Sequence, residues 1–243
     1  MRTIPAPGQE ALSEASVQAV SHCVSTLRSI RRFLPVDVDQ ESVEFVLHHA
    51  VQAGSAKNRQ PWRFVVVRSR DTMSALGNWY RRGWLAMSTH IRHFPDSLAA
   101  SDEHQRQMRE GRVLADLFDT APVVVVPCFI PIGRNPANFY GGASIYPAIQ
   151  NLLLAARAIG LGATLTTLQS LDALDGVDPP GLTAELRTIL GIPVDVVPAA
   201  VIPLGWPATK FAEGRREPVR KVAYAERWGS PIAPEAPQRL ADH

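Results

Sequence analysis

Residues 144–159 are apolar around almost the whole helical circumference, and this constrains the fold more than any other part of the chain. The apolar positions are Ile145, Ile149, Leu152, Leu153, Leu154, Ala155, Ala156 and Ile159. A helix with one apolar stripe can lie on a protein surface, whereas a helix that is apolar on all sides must be buried on most of them. The sequence therefore predicts that this helix lies in the core or forms the seam of an oligomer, and that Gly160 ends it.

Short apolar segments typical of buried strands alternate with helical patterns along the rest of the chain. The predicted strands are residues 63–68, 123–126, 163–168 and 196–204. One further helix is predicted to begin after the N-cap Asp39 and to stop at Gly54. The others are a helical excursion over 72–118 and a short helix over 183–190. Prolines in or beside the strands, Pro198 among them, disfavour a uniformly parallel sheet. This arrangement predicts a sheet covered by helices.

Two separate basic clusters suggest a shared anion. Residues 1–12 read as a mobile arm, and a helix is predicted to start near Ser13, run through the sequence R-S-I-R-R-F at 28–33, and end at Pro35. On that helix three arginines of the cluster would share one face, which could bind a phosphate or could be a solvated basic surface. The second cluster comprises Lys210, Arg215 and Arg216.

Composition excludes several classes of function. The net charge is +2, which is too small for the concentrated positive field that nucleic-acid binding requires. Cys23 and Cys128 do not form a C-x-x-C motif or a zinc-type Cys/His set, so neither a disulfide framework nor a metal site is predicted. No segment has the pattern of a signal peptide or a membrane-spanning helix. A cytoplasmic protein with no membrane partner fits these observations best.

Four short motifs, taken in order, resemble the FMN-dependent nitroreductase family. They are R-S-I-R-R-F at 28–33, S-A-K-N-R-Q-P-W at 55–62, G-L-G at 160–162 with T-L-T-T at 164–167, and L-G-W-P at 204–207 with the following arginines. Each motif alone is weak, but the order and spacing of all four are specific. The resemblance implies an α+β fold with a mixed, mainly antiparallel sheet sandwiched by helices, a single domain over 1–243, and a homodimer with FMN at the interface.

The resemblance assigns one group of residues to the phosphate and ribityl parts of FMN. Arg28, Ser29 and Arg31 match the family's contacts. The family often has a basic residue where this chain has Leu27, and the neighbouring Arg32 could replace that cation. Arg216 matches a late basic residue that meets the same flavin. A buried phosphate is tolerated only when it is paired with charge and hydrogen-bonded, and guanidinium groups do both. Which arginine reaches the phosphate is left open.

A second group matches positions beside the flavin ring. Ser55 and Asn58 match positions that the other subunit offers to the polar edge of the ring. Leu165, Thr166 and Thr167 match the segment beside the hydride-accepting nitrogen, where a backbone N–H or a threonine hydroxyl can form a hydrogen bond. Outside this context the same residues would be read as an ordinary loop and an ordinary strand.

The aromatic and basic stretch within residues 72–118 is the candidate lid over the substrate, and packing against a partner subunit is the alternative. Its aromatic side chains Trp79, Tyr80 and Trp84 are candidate substrate contacts, together with Lys57 on the polar loop. Lys57 could equally be a solvated lysine on a loop.

The resemblance implies an oxidoreductase in which flavin does the chemistry and the protein supplies no catalytic acid. NADPH or NADH would be the electron donor, and a small aromatic acceptor such as a nitroaromatic or a quinone would follow it in a ping-pong cycle. Three other interpretations stay open: a protein that sequesters flavin or senses redox state, a relative that fragments flavin, and a relative that removes halogen from aromatic substrates.

Overall fold

The computed structural model describes residues 12–91, 102–131, 139–173, 181–214 and 216–232. The chain divides into two compact units, the first ending at Ala212 and the second beginning at Glu213. The first unit carries the sheet, and the described part of the second contains one short helix. The predicted arm lies outside the described residues except for Leu12, whose side chain is exposed. The assignment of one functional domain to 1–243 stays a prediction.

The described residues contain one five-stranded sheet. Its strands are β1 (Trp62–Val67), β2 (Val123–Phe129), β3 (Gly162–Ala163), β4 (Val197–Pro198) and β5 (Ile202–Gly205). The order is β1-β2-β5-β3, with β4 also paired to β2, and these strand pairs are antiparallel. A parallel bridge between Ser29 and Ala163 extends the sheet and makes it mixed. The α+β prediction with a mixed, mainly antiparallel sheet is confirmed.

Helices cover both faces of this sheet. They are α1 (Glu14–Thr26), α2 (Gln40–Ala50), α3 (Arg70–Ile91), α4 (Asp102–Leu117), α5 (Phe139–Ala158) and α6 (Leu182–Leu190). The second compact unit contains α7 (Val219–Val222). Strand β2 is buried along its whole length, because alternate side chains enter opposite cores. Val123 and Val125 pack with α2 and α5, whereas Val124 and Val126 pack with α3, α4 and α6. The predicted sandwich of a sheet between helices is therefore present.

The longest apolar helix, α5, lies in the core as predicted. Ile145, Leu152 and Ala156 are fully buried against the sheet. Helix α2 packs beside α5 and begins after Asp39, whose carboxylate accepts a hydrogen bond from the Ser42 N–H at 2.6 Å. This bond holds the pKa of Asp39 below its ordinary value. The predicted helical excursion contains α3 and α4, and residues 92–101 between them lie outside the described part of the chain.

The prediction that the first helix continues through the arginine cluster is wrong. Helix α1 ends at Thr26, and residues 28–34 are extended. The backbone is held by the sheet edge instead: Ile30 N–H donates to Ala163 O at 3.0 Å, and Leu34 N–H donates to Trp206 O at 2.8 Å. Bonds to another part of the chain thus replace the helical bonds that local sequence favoured.

Two predicted strands are also shorter than expected. The segment predicted at 163–168 pairs regularly only as β3 and then forms a single bridge between Thr166 and Val201. The segment predicted at 196–204 is split into β4 and β5. The break falls at residues 199–201, directly after Pro198, which has no N–H to donate to the ladder.

Candidate active site

A cleft of about 390 Å³ opens beside the segment that follows β3, with helices α3 and α4 on its other side. It is lined by Arg31, Tyr80, Trp84, Met87, Gln107, Gly111, Leu114, residues 164–168, Ser170 and Leu171. Six of these residues were singled out from the sequence: Arg31, Tyr80, Trp84, Leu165, Thr166 and Thr167. The fold brings them together from three distant parts of the chain.

The segment after β3 has one hydrogen-bonding edge directed at β5 and the other directed away from it. Thr164 N–H donates to Pro203 O at 3.3 Å, and Thr166 N–H donates to Val201 O at 3.1 Å. Because alternate residues of an extended segment direct their N–H groups to opposite edges, those of Leu165 and Thr167 lie on the side away from β5. These two backbone groups are the candidate donors to a ligand in the cleft.

The Thr166 hydroxyl is already engaged by the protein. Its Oγ1 donates to Val201 O at 2.9 Å, and the same hydroxyl lies beside the Tyr80 phenol. Burial raises the pKa of the Tyr80 phenol above its ordinary value, and the Arg31 charge and the Thr166 hydroxyl oppose this rise only in part. Tyr80 is therefore a neutral hydroxyl at physiological pH. Its ring stacks on Phe118 with the centroids 4.4 Å apart.

The three arginines of the first cluster have different surroundings. Arg31 lines the cleft. Arg28 curls back onto the end of α1 and donates to Ser25 O at 2.9 Å. Arg32 forms a two-pronged ion pair with Glu110 of α4, with N–O distances of 3.0 and 3.3 Å. Arg31 is thus the cation that this conformation presents to the cleft, although the helical face proposed for the cluster does not exist.

The two tryptophans of α3 have opposite environments. Trp84 is partly buried and lines the cleft. Trp79 is fully buried and donates its Nε1–H to Leu182 O at 2.9 Å. The structure therefore does not bring Trp79 to the cleft, and its side chain packs α3 against α6.

The polar loop that carries Ser55, Lys57 and Asn58 is exposed and does not line the cleft within this chain. The Ser55 hydroxyl accepts a hydrogen bond from the Gln60 N–H at 3.0 Å, which leaves its own proton available for donation. Lys57, Asn58 and Gln60 all have positive φ angles of 50–53°. Backbone conformations of this kind are uncommon for residues other than glycine, and strained residues cluster at functional sites.

Sequence reasoning did not identify the remaining cleft residues of α3 and α4, nor Leu168, Ser170 and Leu171. Met87 follows Tyr80 and Trp84 on one face of α3, and Gln107, Gly111 and Leu114 repeat the same i, i+4, i+7 spacing on α4. That shared spacing is the signal that could have identified them. Spacing alone does not show that the two helices face each other across one cleft.

A second recess, which we call the apolar groove, lies between α1, α2 and α5. Its volume is about 430 Å³, and it is lined by Ala19, Val20, Cys23, Val24, Phe45, His49, Gln52, Asn151, Leu154, Ala155 and Ala158. Val20 and Val24 are more than half exposed. Asn151 ties α5 to α2 by donating to His49 O at 3.3 Å. The face of α5 that is not in the core thus lines an apolar surface.

The remaining predictions concern residues or groups outside the cleft. Arg216 belongs to the second compact unit, and Arg215 lies outside the described residues. No cluster of three possible metal ligands occurs in the part of the chain that the structure describes. Across the same residues, no helix combines the length and apolarity needed to span a bilayer.

Comparison with known proteins places the chain in a defined group. The model of the nitroreductase family matches residues 24–206. The NADH dehydrogenase of Thermus thermophilus is 29% identical over 207 residues, which cover 80% of this chain and 90% of that protein.

Solved structures share the fold at lower identity. A nitroreductase with bound FMN from Desulfitobacterium hafniense superposes with a TM-score of 0.60 at 21% identity, covering 86% of this chain and 98% of the other. Iodotyrosine deiodinase bound to FMN and 3-iodo-L-tyrosine gives a TM-score of 0.64 at 19% identity, covering 87% and 99%. At these identities the similarity establishes the fold alone.

Proposed function

The chain belongs to the nitroreductase family, and from this premise we propose that it binds FMN in the cleft and works as an NAD(P)H-dependent oxidoreductase. The acceptor would be a small flat molecule such as a nitroaromatic or a quinone. One observation carries the proposal. Residues assigned to the flavin or the acceptor in three separate segments of the chain, at Arg31, at Tyr80 and Trp84, and at 165–167, line one common cleft.

The residues present fit a flavin. A flavin mononucleotide needs positive charge for its phosphate, hydrogen-bond donors for the edge of its ring, and apolar surface for the ring faces. Arg31 supplies charge, the outward N–H groups of Leu165 and Thr167 supply donors, and the aliphatic wall residues supply apolar surface, which leaves Trp84 for the acceptor. The Thr166 hydroxyl, being bonded to Val201 O, fixes the segment more than it serves the ligand.

When bound, FMN would take a hydride from the nicotinamide donor and pass electrons to the acceptor. The protein's contribution is positioning and electrostatics. Arg31 and the fixed N–H dipoles favour negative charge in the cleft, and they require no reorganisation because the sheet holds the segment that carries the dipoles. Tyr80 stays neutral, so it adds a hydroxyl dipole without adding a charge.

A homodimer completes this proposal. The apolar groove exposes valine side chains on α1 beside α5, and a second copy of the chain would cover them. In such a dimer the loop carrying Ser55 and Asn58 would be offered to the partner's flavin, and Lys57 to its substrate. Arg28, Ser29, Arg32 and Arg216 stay in the proposal as contacts near the phosphate. A cytoplasmic location is retained with it.

The experiment that tests the proposal is an anaerobic visible spectrum of the purified protein, loaded with FMN, before and after addition of NADPH or NADH. Bleaching of the flavin absorbance, followed by its return when a quinone or a nitroaromatic is added, is the expected result. Initial rates with both substrates varied should give parallel double-reciprocal lines, because donor and acceptor use the site in turn.

Other results would point to other functions. Bound flavin that stays oxidised with both nucleotides would contradict the oxidoreductase proposal and favour sequestration. Release of iodide from 3-iodotyrosine by the reduced protein, or breakdown of the flavin in air, would assign one of the two alternative chemistries. A protein that cannot be loaded with FMN at all would overturn the flavin site.

A further inference from the structure

The wall of the cleft opposite the segment after β3 depends on one unusually close contact between helices. Gly111 of α4 is buried, and the indole of Trp84 on α3 lies against its bare backbone. A Cβ atom added at Gly111 would be 2.1 Å from Cη2, 2.4 Å from Cζ3 and 2.9 Å from Cζ2 of Trp84. Non-bonded carbon atoms prefer about 3.5–4.0 Å, so any side chain at this position would displace the indole by roughly 1 Å or more.

Space, and not backbone conformation, is the reason for glycine here. Gly111 lies inside α4, where glycine is a weaker helix former than alanine. A glycine at such a position has to be explained by packing. The indole occupies the place that a side chain would take.

The helix that holds Gly111 is also fixed from the other side of the cleft. Its neighbour Glu110 forms the two-pronged ion pair with Arg32, which directly follows the cleft residue Arg31. Helix α4 is thereby tied to the arginine segment at the same turn that receives the indole. Because α4 is held in this position, the indole of Trp84 lies on Gly111 and the space beside the indole stays open as part of the cleft.

We propose that the contact between Trp84 and Gly111 sets how large an aromatic acceptor the cleft admits, which makes Gly111 a specificity-determining residue. This inference rests on the proposed function for its choice of acceptor. Aromatic rings favour offset or edge contacts with an indole, so Trp84 supplies a contact surface for one ring of the acceptor. Because the indole lies directly on Gly111, the cleft keeps room for a second ring of the acceptor. An indole pushed off Gly111 would occupy the space of the second ring.

The test uses two unreactive aromatic acids that differ by one ring, benzoate and 2-naphthoate. Their dissociation constants are measured by titration calorimetry on the FMN-loaded protein and on the flavin-free protein. Gly111→Ala is expected to weaken 2-naphthoate relative to benzoate about tenfold, the scale on which apolar pockets discriminate by size. Turnover of a two-ring quinone should fall against that of a one-ring quinone in the same proportion.

Two further variants separate specificity from damage to the fold. In Gly111→Ala with Trp84→Phe, the smaller ring removes the clash, so the naphthoate-to-benzoate ratio should return to within about threefold of the original value. Gly142→Ala in α5 is the matched control, because its added Cβ would meet Tyr146 at an ordinary 3.6 Å. It should leave the ratio unchanged.

A folded, flavin-loaded Gly111→Ala protein with an unchanged ratio would overturn the inference, as would failure of the double variant to restore it. If Gly111→Ala does not fold, Trp84→Phe alone decides: a shift of about tenfold towards 2-naphthoate supports the inference, and no shift overturns it. The measurements on flavin-free protein keep this result separate from the proposed function. That function fails if NAD(P)H does not reduce the bound flavin, whatever the two acids do.

Discussion

The cleft, of about 390 Å³, and the apolar groove, of about 430 Å³, are nearly equal in volume but differ in the chemical character of their walls. The cleft lies where an extended segment directs backbone N–H groups away from the sheet, and it contains the guanidinium of Arg31. The groove lies between helices, whose interior backbone groups are bonded within each helix and are not available to a ligand. The comparison shows that the availability of backbone N–H groups, more than volume, makes the cleft suited to a polar ligand. The groove, which offers no such groups, is suited to packing against another apolar surface.

The largest effect is expected from a charge in the groove. Val24→Asp should raise the dissociation constant of the dimer at least about 100-fold, because leaving a carboxylate unpaired in an apolar interface costs about 3 kcal/mol or more. Sedimentation over a range of protein concentrations measures it. Val194→Asp is the control, since Val194 is 89% exposed and lies outside the groove. A Val24→Asp protein that remains as dimeric as the control would remove the groove from the proposed interface.

Within the cleft, Arg31→Gln should weaken FMN binding about 10- to 100-fold, the equivalent of charge-assisted hydrogen bonds worth about 1.5–3 kcal/mol. Arg32→Gln should have a smaller effect, because the guanidinium of Arg32 is already paired with Glu110. Quenching of flavin fluorescence on titration with flavin-free protein gives both affinities. The opposite ranking would show that Arg32 leaves Glu110 and contacts FMN directly.

Thiol labelling should distinguish the groove from the core. Cys23 lines the groove and Cys128 is buried in the sheet. If a second copy covers the groove, Cys23 should react at least about tenfold faster in the Val24→Asp monomer than in the parent dimer. Cys128 should stay unreactive in both, since burial raises the pKa of its thiol to about 11. Equal rates for Cys23 in the two proteins, read by mass spectrometry, would argue against a covered groove.

The smallest effect concerns the hydroxyl in the cleft. Tyr80→Phe removes the hydroxyl that lies beside Thr166 and should lower the free energy of unfolding by no more than about 1.5 kcal/mol at neutral pH, the upper end for one hydrogen bond. Because the pKa of Tyr80 is raised in the folded state, its contribution is complete below the ordinary value of 10.0 and is lost as the pH rises above it. Denaturant unfolding between pH 8 and pH 11 should therefore show a shallower alkaline decline for Tyr80→Phe than for the parent protein. Parallel declines would mean that Tyr80 does not stay protonated in the fold.

Local sequence could predict the elements that are governed by apolar periodicity. Helices α2 and α5, strands β1 and β2, and the cap at Asp39 follow from spacing alone. The arginine segment could not be predicted in this way, because Thr26 ends α1 and the following residues bond to Ala163 and Trp206. No local pattern records partners so far away in sequence.

The candidate site divides along the same line. Arg31 and the threonine segment carry motifs that a sequence can display. No motif records the contact between Trp84 and Gly111, because the two residues come together only when α3 packs against α4. Trp79 illustrates the converse, because its proximity to Trp84 in sequence suggested a shared role that the helical rotation separates.

The sheet edge that holds the arginine segment also sets when the site can exist. Residues near the start of the chain are positioned by Ala163 and Trp206, and Ala208 N–H closes the arrangement by donating to Arg32 O at 2.9 Å. During synthesis from the N-terminus, the backbone of this segment therefore has no sheet partner until residue 163 has left the ribosome, and its bonds to Trp206 and Ala208 form later still. Under the proposed function, FMN would thus meet a fixed arginine segment only after residues up to Ala208 have folded against it.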